Sequence, residues 1–272
     1  MKGTIFELTY KLILKVVILN HMIEANNLSI EIGGKIILKN INFRLNNKAL
    51  ILGPNGSGKT TLLKTLSGFY RYKGSLKIDE TELRDINNYI SFSTNLPDAY
   101  YIAMKVKDIL SILAEIKGCK EDLFENMMKE VNINPLDRNP FSLSMGEKTI
   151  VFTALALSSE PKIVMIDEPF ENLDKNRKNI MVRWLNRYGK EGFIVTHEVE
   201  MLKNFQEWNM YLMIEGKLYG PITVKEFLSS KLIDGDRENS ILKIEIGGKK
   251  FSLMTSKENS DILDINNIYD YI

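Results

Sequence analysis

With Cys119 as its one cysteine, the chain can form no internal disulfide and no cysteine-only metal centre. That suits a reducing compartment, and the thiol is expected to be a small buried residue. Net charge is equally scarce: 36 basic against 35 acidic side chains leave a formal +1 over 272 residues. So even a balance gives no global electrostatic reason to expect a nucleic-acid partner. Long apolar runs are missing too. The richest stretch, Ile5 to Ile23, is broken by Glu7, Lys11, Lys15, Asn20 and His21, so it offers no clean span of a bilayer. It also lacks a small-residue cleavage site, which argues against a secretory signal. Residues 1–21 therefore stand as an extension, a membrane-surface helix or an upstream start. There is no internal repeat, low-complexity tract or long heptad pattern. What remains, 44% apolar and 26% charged residues, is the composition of an ordinary globular protein, with room for one large domain and an appendage.

The stretch Gly53-Pro54-Asn55-Gly56-Ser57-Gly58-Lys59-Thr60 fits G-x-x-x-x-G-K-[ST], a loop whose backbone N–H groups can turn inward on a phosphate. Its glycines allow positive φ and close approach to a ligand. Lys59 supplies a point charge for the β- and γ-phosphates, and Thr60 a hydroxyl for Mg²⁺. The apolar residues up to Leu52 read as a buried strand. Thr61-Leu62-Leu63 opens an amphipathic helix whose N-terminus favours anions, with Thr61 itself a nucleotide-binding candidate.

Around this loop the periodicity alternates between strand and helix. Ile23–Ala25 and Leu28–Ile32 alternate as β, Gly33-Gly34 marks a turn, and strands resume at Ile36–Leu38 and at Ile41–Leu45. Gly74–Asp79 and Tyr89–Ser93 are further strand candidates. Between Pro97 and Pro140 the period becomes helical: Val106, Ile109, Leu110 and Leu113 share one face, and Leu123, Met127, Met128 and Val131 another. Ile150–Leu157 reads as helix. Lys162–Ile166 and Phe193–Thr196 read as buried parallel strands, and Asp174 as the cap of a helix running to about Gly189. This pattern predicts an α/β fold of the P-loop NTPase type with a mostly parallel core sheet. Beyond Leu228 a polar linker, Ile233–Ser240, leads to a predicted β-hairpin turning at Gly247-Gly248, which could regulate, dimerise or cover a sheet edge.

A phosphate loop needs a carboxylate for its metal and a group to ready the attacking water. Ile163–Ile166 carries Asp167 and Glu168 at its end, the first placed for Mg²⁺ and the second for a general base. Two adjacent carboxylates on an apolar strand are costly without such a task.

With these residues assembled, the chain resembles the nucleotide-binding domain of the ATP-binding cassette (ABC) family over Met22 to Phe227. Leu143-Ser144-Met145-Gly146-Glu147 resembles the signature motif, with Pro161 at the expected distance after it. Glu171-Asn172-Leu173-Asp174 resembles the D-loop, and Thr196-His197-Glu198 the switch-histidine motif. Asn95 stands at the glutamine-loop position, and Gly216-Lys217 resembles the late turn. The resemblance implies an N-terminal antiparallel β-subdomain and a helical subdomain at about 97–142, within a cassette at 22–227 followed by a small appendage at 228–272. It also implies ATP and Mg²⁺ as ligands, the metal held by Thr60, Asp167 and Asn95. Catalytic roles fall to Glu168, His197 and Asn95. Ser144, Met145, Gly146, Glu147 and Asp174 would act in trans, on the nucleotide of a second cassette that is either identical or different. With no membrane span of its own, such a subunit lies on the cytoplasmic face of a membrane against separate permease subunits. They would dock near Asn95–Tyr101 and the helical block, where Tyr100 and Tyr101 are either contacts or buried loop aromatics. A soluble ABC ATPase of the iron–sulfur assembly kind is the alternative.

Three departures from the family pattern carry expectations. Ile32 occupies the place of the adenine-stacking aromatic, so weak base discrimination follows. Asn95 is shorter than glutamine by about 1.5 Å, so turnover is slow or the loop moves inward. Met145 and Glu147 replace the usual signature Gly and Gln, and Ile150 and Leu155 replace helix arginines, which removes polar bracing. Lys148 after Ser-x-Gly gives a slight lean toward export.

Overall fold

A computed structural model describes residues 22–87 and 91–255. The readings placed on residues 1–21, on Tyr89 and Ile90, and on the tail after Thr255 lie outside the described residues.

β1 (Ile23–Ile32) and β2 (Lys35–Leu45) form an antiparallel hairpin with Ile32 opposite Lys35. Gly33 and Gly34 turn it with φ of 57° and 78°, values that glycine adopts without Cβ strain. The expected strand at Ile41–Leu45 is a continuation of β2. β3 (Lys48–Leu52) leads into α1 (Lys59–Leu66), and β4 (Lys73–Ile78) with β5 (Thr81–Glu82) completes an antiparallel sheet of order β2-β1-β4-β5.

β6 (Phe92–Thr94) precedes the helical subdomain, α2 (Val106–Lys117) and α3 (Glu121–Glu130). α2 buries the four residues its periodicity singles out. On α3 the deep residue is Phe124, with Leu123 partly covered. The chain then returns to the core through α4 (Met145–Leu157), β7 (Ile163–Asp167), α5 (Lys175–Arg187) and β8 (Glu191–Thr196). β9 (Asn209–Ile214), β10 (Lys217–Thr223) and the short α6 (Val224–Leu228) follow. The central sheet has the order β10-β9-β3-β8-β7-β6, parallel except for β10.

Period-two burial explains why these strands read as unbroken apolar runs. Ala49 and Ile51 of β3 face the core beneath the antiparallel sheet, while Leu50 and Leu52 face the one beneath the helices. β7 divides likewise, Ile163 and Met165 against Val164 and Ile166. Both faces are covered, so the strands' C-terminal ends are left to hold a ligand.

β11 (Ser230–Asp234), β12 (Leu242–Ile246) and β13 (Lys249–Thr255) form a third sheet in the order β11-β13-β12. The hairpin is as expected, but the predicted linker begins inside a strand: Ile233 pairs with Ser252 and Asp234 with Phe251. Leu232, Ile244, Ile246, Phe251 and Leu253 join the same apolar cluster as Phe227, so this sheet shares the main core.

Candidate active site

The phosphate loop leaves β3 at Gly53, where a Cβ would lie 2.3 Å from the Met213 carbonyl oxygen and 2.9 Å from Ser57 Oγ. Gly58 caps α1 with φ 107°, and a side chain there would meet Leu38 Cδ2 at 2.4 Å. Glycine is thus required by backbone contact at Gly53 and by conformation at Gly58. The turn between β9 and β10 braces the loop from outside: Gly216 N–H donates to Ser57 O at 3.0 Å and Gly216 O accepts from Lys39 N–H at 3.1 Å. That turn is itself held by the third sheet, since Gly247 N–H donates to Glu215 Oε1 at 3.0 Å and Lys217 pairs with Glu245 at 3.0 Å. Sequence alone gave the appendage no such role, because the contacts join residues far apart in the chain.

Lys59 is 5% exposed. Its ammonium donates to Gly53 O at 2.7 Å and Pro54 O at 3.0 Å, and lies 3.3 Å from Glu168 Oε1. Thr60 Oγ1 donates to Asp167 Oδ2 at 2.7 Å. The loop hydroxyl, the loop ammonium and both carboxylates therefore meet at one point. They line a cavity of about 470 Å³ together with Asn55, Gly56, Gly58, Thr61, Asn95, Met145 and Phe152. Gly53, Pro54 and Ser57 shape the loop behind this lining, while Ser144, Gly146, Glu147, Asp174 and His197 lie outside it.

Glu168 closes β7 with φ 42°, left-handed for a non-glycine residue, and its N–H donates to Val195 O at 2.9 Å. Such a backbone costs about 1–3 kcal/mol and turns the carboxylate away from the strand. Oε2 accepts from His197 N–H at 3.1 Å and lies 3.0 Å from His197 Nδ1. His197 thus holds the candidate base.

Burial pushes the Asp167 carboxyl up to about 6, with the neighbouring Glu168 charge adding to the effect against the pull of Thr60 and Lys59. Its Oδ1 is buried without a hydrogen-bond partner among the described residues, and so is Glu168 Oε1 apart from its ion pair with Lys59. A hydroxyl and carboxylates with uncommitted oxygens are the hard donor set that suits Mg²⁺. The residues present fit that ion.

Asn95 is buried and bonded differently from the expectation. Its Nδ2 donates to Asp167 O at 2.9 Å and to Thr153 Oγ1 at 3.3 Å, and its Oδ1 accepts from Asp167 N–H at 2.8 Å. Both ends of the amide grip the backbone that carries Asp167, which identifies it here as a clamp on β7. Asparagine fits this clamp, and glutamine would overreach it by one methylene. We expect Asn95→Gln to lower kcat and to displace Asp167; a rate equal to the parent's would show that the clamp is dispensable.

The signature residues stand at the start of α4. Ser144 Oγ accepts from Glu147 N–H at 3.3 Å and Glu147 Oε2 accepts from Ser144 N–H at 2.9 Å, a reciprocal capping box. This uses the acceptor side of the Ser144 hydroxyl and leaves its proton to donate elsewhere. The bracing missing at Ile150 and Leu155 is replaced from another direction. Arg138 donates from both terminal guanidinium nitrogens to Glu147, at 2.6 and 3.2 Å. Arg138, and then the Ser144 N–H, hold the Glu147 carboxyl down at about 2. Its stabilising effect is complete above the ordinary carboxylate value and is lost only as pH falls toward 2. Gly146 packs so closely on the D-loop that a Cβ would lie 2.5 Å from Asn172 O. Asp174 caps α5, accepting from Arg177 N–H at 3.0 Å, as its sequence position predicts. Tyr100, named as a possible permease contact, is 3% exposed and therefore unavailable, whereas Tyr101 is 57% exposed.

Ile32 is 39% exposed, and Ile37 lines the cavity. The aromatic lining residue, Phe152, already stacks on Tyr100. Losing a base–aromatic stack worth about 1–3 kcal/mol leaves the phosphates to dominate binding. Competition with labelled ATP should therefore find GTP nearly as effective as ATP; a strong preference for ATP would contradict this.

A parallel sheet with a phosphate loop after one strand and paired carboxylates at the end of another defines a P-loop nucleoside triphosphatase. The ABC transporter family model matches residues 38–171. An ABC transporter ATP-binding protein of Pyrococcus horikoshii is 30% identical over 78% of this chain and 87% of its own length. Another, from Clostridium tetani, is 28% identical over 89% of this chain; the chain spans 57% of that relative's length. The crystal structure of a protein described as a cobalt transport ATP-binding protein superposes with a TM-score of 0.85 and 41% identity, covering 92% of this chain and all of that one. The chain belongs to the ABC transporter family, among its ATP-binding subunits.

Proposed function

We propose that two cassettes close around MgATP, hydrolyse it with Glu168 as general base, and so drive a separate membrane permease. The observation that carries this is the Glu168 carboxylate, ion-paired to Lys59 across the phosphate cavity and oriented by His197. Lys59 and the loop N–H groups hold the β- and γ-phosphates, and Thr61 follows on the first turn of α1. Glu168 takes the proton of the attacking water as the γ-phosphoryl group leaves ADP. His197 fixes the carboxylate, and release of phosphate alters that contact. Thr60 and Asp167 would hold Mg²⁺, which neutralises charge on the transferring group, while Asn95 acts on Asp167 from behind.

Ser144 is exposed, and its hydroxyl proton is suited to a partner's γ-phosphate alongside the Gly146 N–H at the start of α4. Met145, 63% exposed, would be covered in the same closure. No helix among the described residues is long and apolar enough to cross a membrane. On this reading the transport path is supplied by a separate permease chain. We propose as its docking place, instead of the loop Asn95–Tyr101 expected from the sequence, a second cavity of about 750 Å³ lined by Phe69, Tyr72, Leu83, Phe92 and, at the end of α2 in the helical block, Lys117. The cassette, on this reading, lies on the cytoplasmic face of the membrane. The relative described as serving cobalt transport makes a divalent transition-metal ion the first cargo to test. Capture of the full chain from detergent-solubilised membranes of its source should bring down a multi-span protein and a second cassette. A stable assembly with soluble partners instead would overturn the transport reading.

A further inference from the structure

Two consecutive tyrosines follow the Asn95 loop, and each meets an aromatic ring at the signature segment. Tyr100 is buried and stacks on Phe152 of α4, with centroids 5.0 Å apart and planes 14° from parallel. Tyr101 is 57% exposed and stacks on Phe141, 51% exposed, with the same separation and angle. Phe141 lies in the short turn leading into Ser144, while Phe152 lies beyond it on the helix that Ser144 caps. The two rings therefore seize the signature from either side.

The tyrosines are themselves fixed to Asn95. A tight turn, Pro97–Ala99, joins them, closed by Ala99 N–H to Leu96 O at 3.0 Å and Tyr100 N–H to Pro97 O at 2.9 Å, and the Tyr100 hydroxyl donates to Thr94 O. Asn95 in turn grips the backbone of Asp167. A chain of contacts thus runs from the metal-site carboxylate to the exposed end of α4. The inner stack belongs to the core. The outer one buries little surface, so what it contributes is the relative position of two segments distant in sequence.

On the reading that Ser144 and Gly146 meet a partner's nucleotide, we propose that Tyr101 and Phe141 are positioning residues, holding the signature motif in register with the Asn95 loop. Neither ring lines the phosphate cavity. Their loss lets the signature swing without disturbing the phosphate loop, so nucleotide binding survives while closure becomes misaligned.

The test is the steady-state ATPase of the full-length chain. A misplacement on the order of 1 Å can cost up to ~10²-fold in rate, and a freed surface ring corresponds to the lower part of that range. Tyr101→Ala and Phe141→Ala should each lower kcat about tenfold and leave KM for MgATP unchanged. Tyr101→Phe and Phe141→Tyr keep both rings and should restore the parent rate. The double alanine variant should be no slower than either single one, since one contact cannot be broken twice. Unchanged kcat in both alanine variants, losses that multiply in the double variant, or a Tyr101→Phe as slow as Tyr101→Ala would each overturn the proposal. Should Tyr101→Ala not fold, Phe141→Ala and Tyr101→Phe decide the matter. The dimer reading fails separately: a Glu168→Gln chain that does not pair with MgATP removes the signature's role. A Glu168→Gln chain that pairs equally well with and without Tyr101→Ala, alongside an unchanged kcat, removes only the outer stack's.

Discussion

Replacing Glu168 by glutamine should reduce ATP turnover by about 10²–10⁴-fold, the usual contribution of a positioned general base, while MgATP still binds. The amide keeps the size of the carboxylate and can still accept from His197 N–H, so the end of β7 is preserved. What disappears is the proton acceptor and half of the ion pair that spans 3.3 Å to Lys59. A buried ammonium that loses its partner carboxylate gains reason to hold an anionic phosphate, so affinity should be kept or improved. Rapid-quench measurement of a single turnover separates this from slower product release. A chemical step as fast as in the parent would move the base elsewhere.

The largest structural effect is expected at Gly192. Its φ is 124°, outside the range of L side chains, and in register it lies opposite Val164 on β7 and Lys48 on β3. A Cβ there would sit 1.8 Å from Val164 O, 2.8 Å from its carbonyl carbon and 2.9 Å from its nitrogen. Every one of these atoms is backbone inside a sheet buried on both faces, so no rotamer change relieves the clash. β7 would have to move, and it carries Asp167 and Glu168. Substitutions that combine forbidden backbone with core displacement lie beyond about 4 kcal/mol, against a total of roughly 5–15 kcal/mol for a domain. Gly192→Ala should therefore leave little folded protein, read by thermal or denaturant unfolding. A midpoint close to the parent's would show that the sheet relaxes far more easily than its packing implies.

Much of this was legible before the structure. The phosphate loop is a local object, its glycines and flanking elements contiguous, so periodicity and spacing were enough to locate it. The central strands were visible because both faces are buried and the alternation of Ala49, Leu50, Ile51 and Leu52 is apolar throughout. β11 was hidden because it ends in Asp234 and Gly235, Asp236 and Arg237 follow at once, and exposed charge masked a strand with one buried face. The roles of Asn95 and Glu147 were less visible still. Asn95 matched a loop position by spacing, but its bonds to the Asp167 backbone exist only once β6 and β7 are paired. Glu147 looked like a departure until Arg138, close in sequence but across a turn, was seen to bind it. Local chemistry shows in a sequence, whereas second partners brought by tertiary contact do not.

On the proposed reading, the phosphate loop and Glu168 of one chain work with Ser144 and Gly146 of another. The mass in solution of the Glu168→Gln chain, measured by light scattering with and without MgATP, tests it most directly. The expected result is a single chain without nucleotide and a pair of chains holding two MgATP with it. A Glu168→Gln chain that binds MgATP and remains single would contradict it.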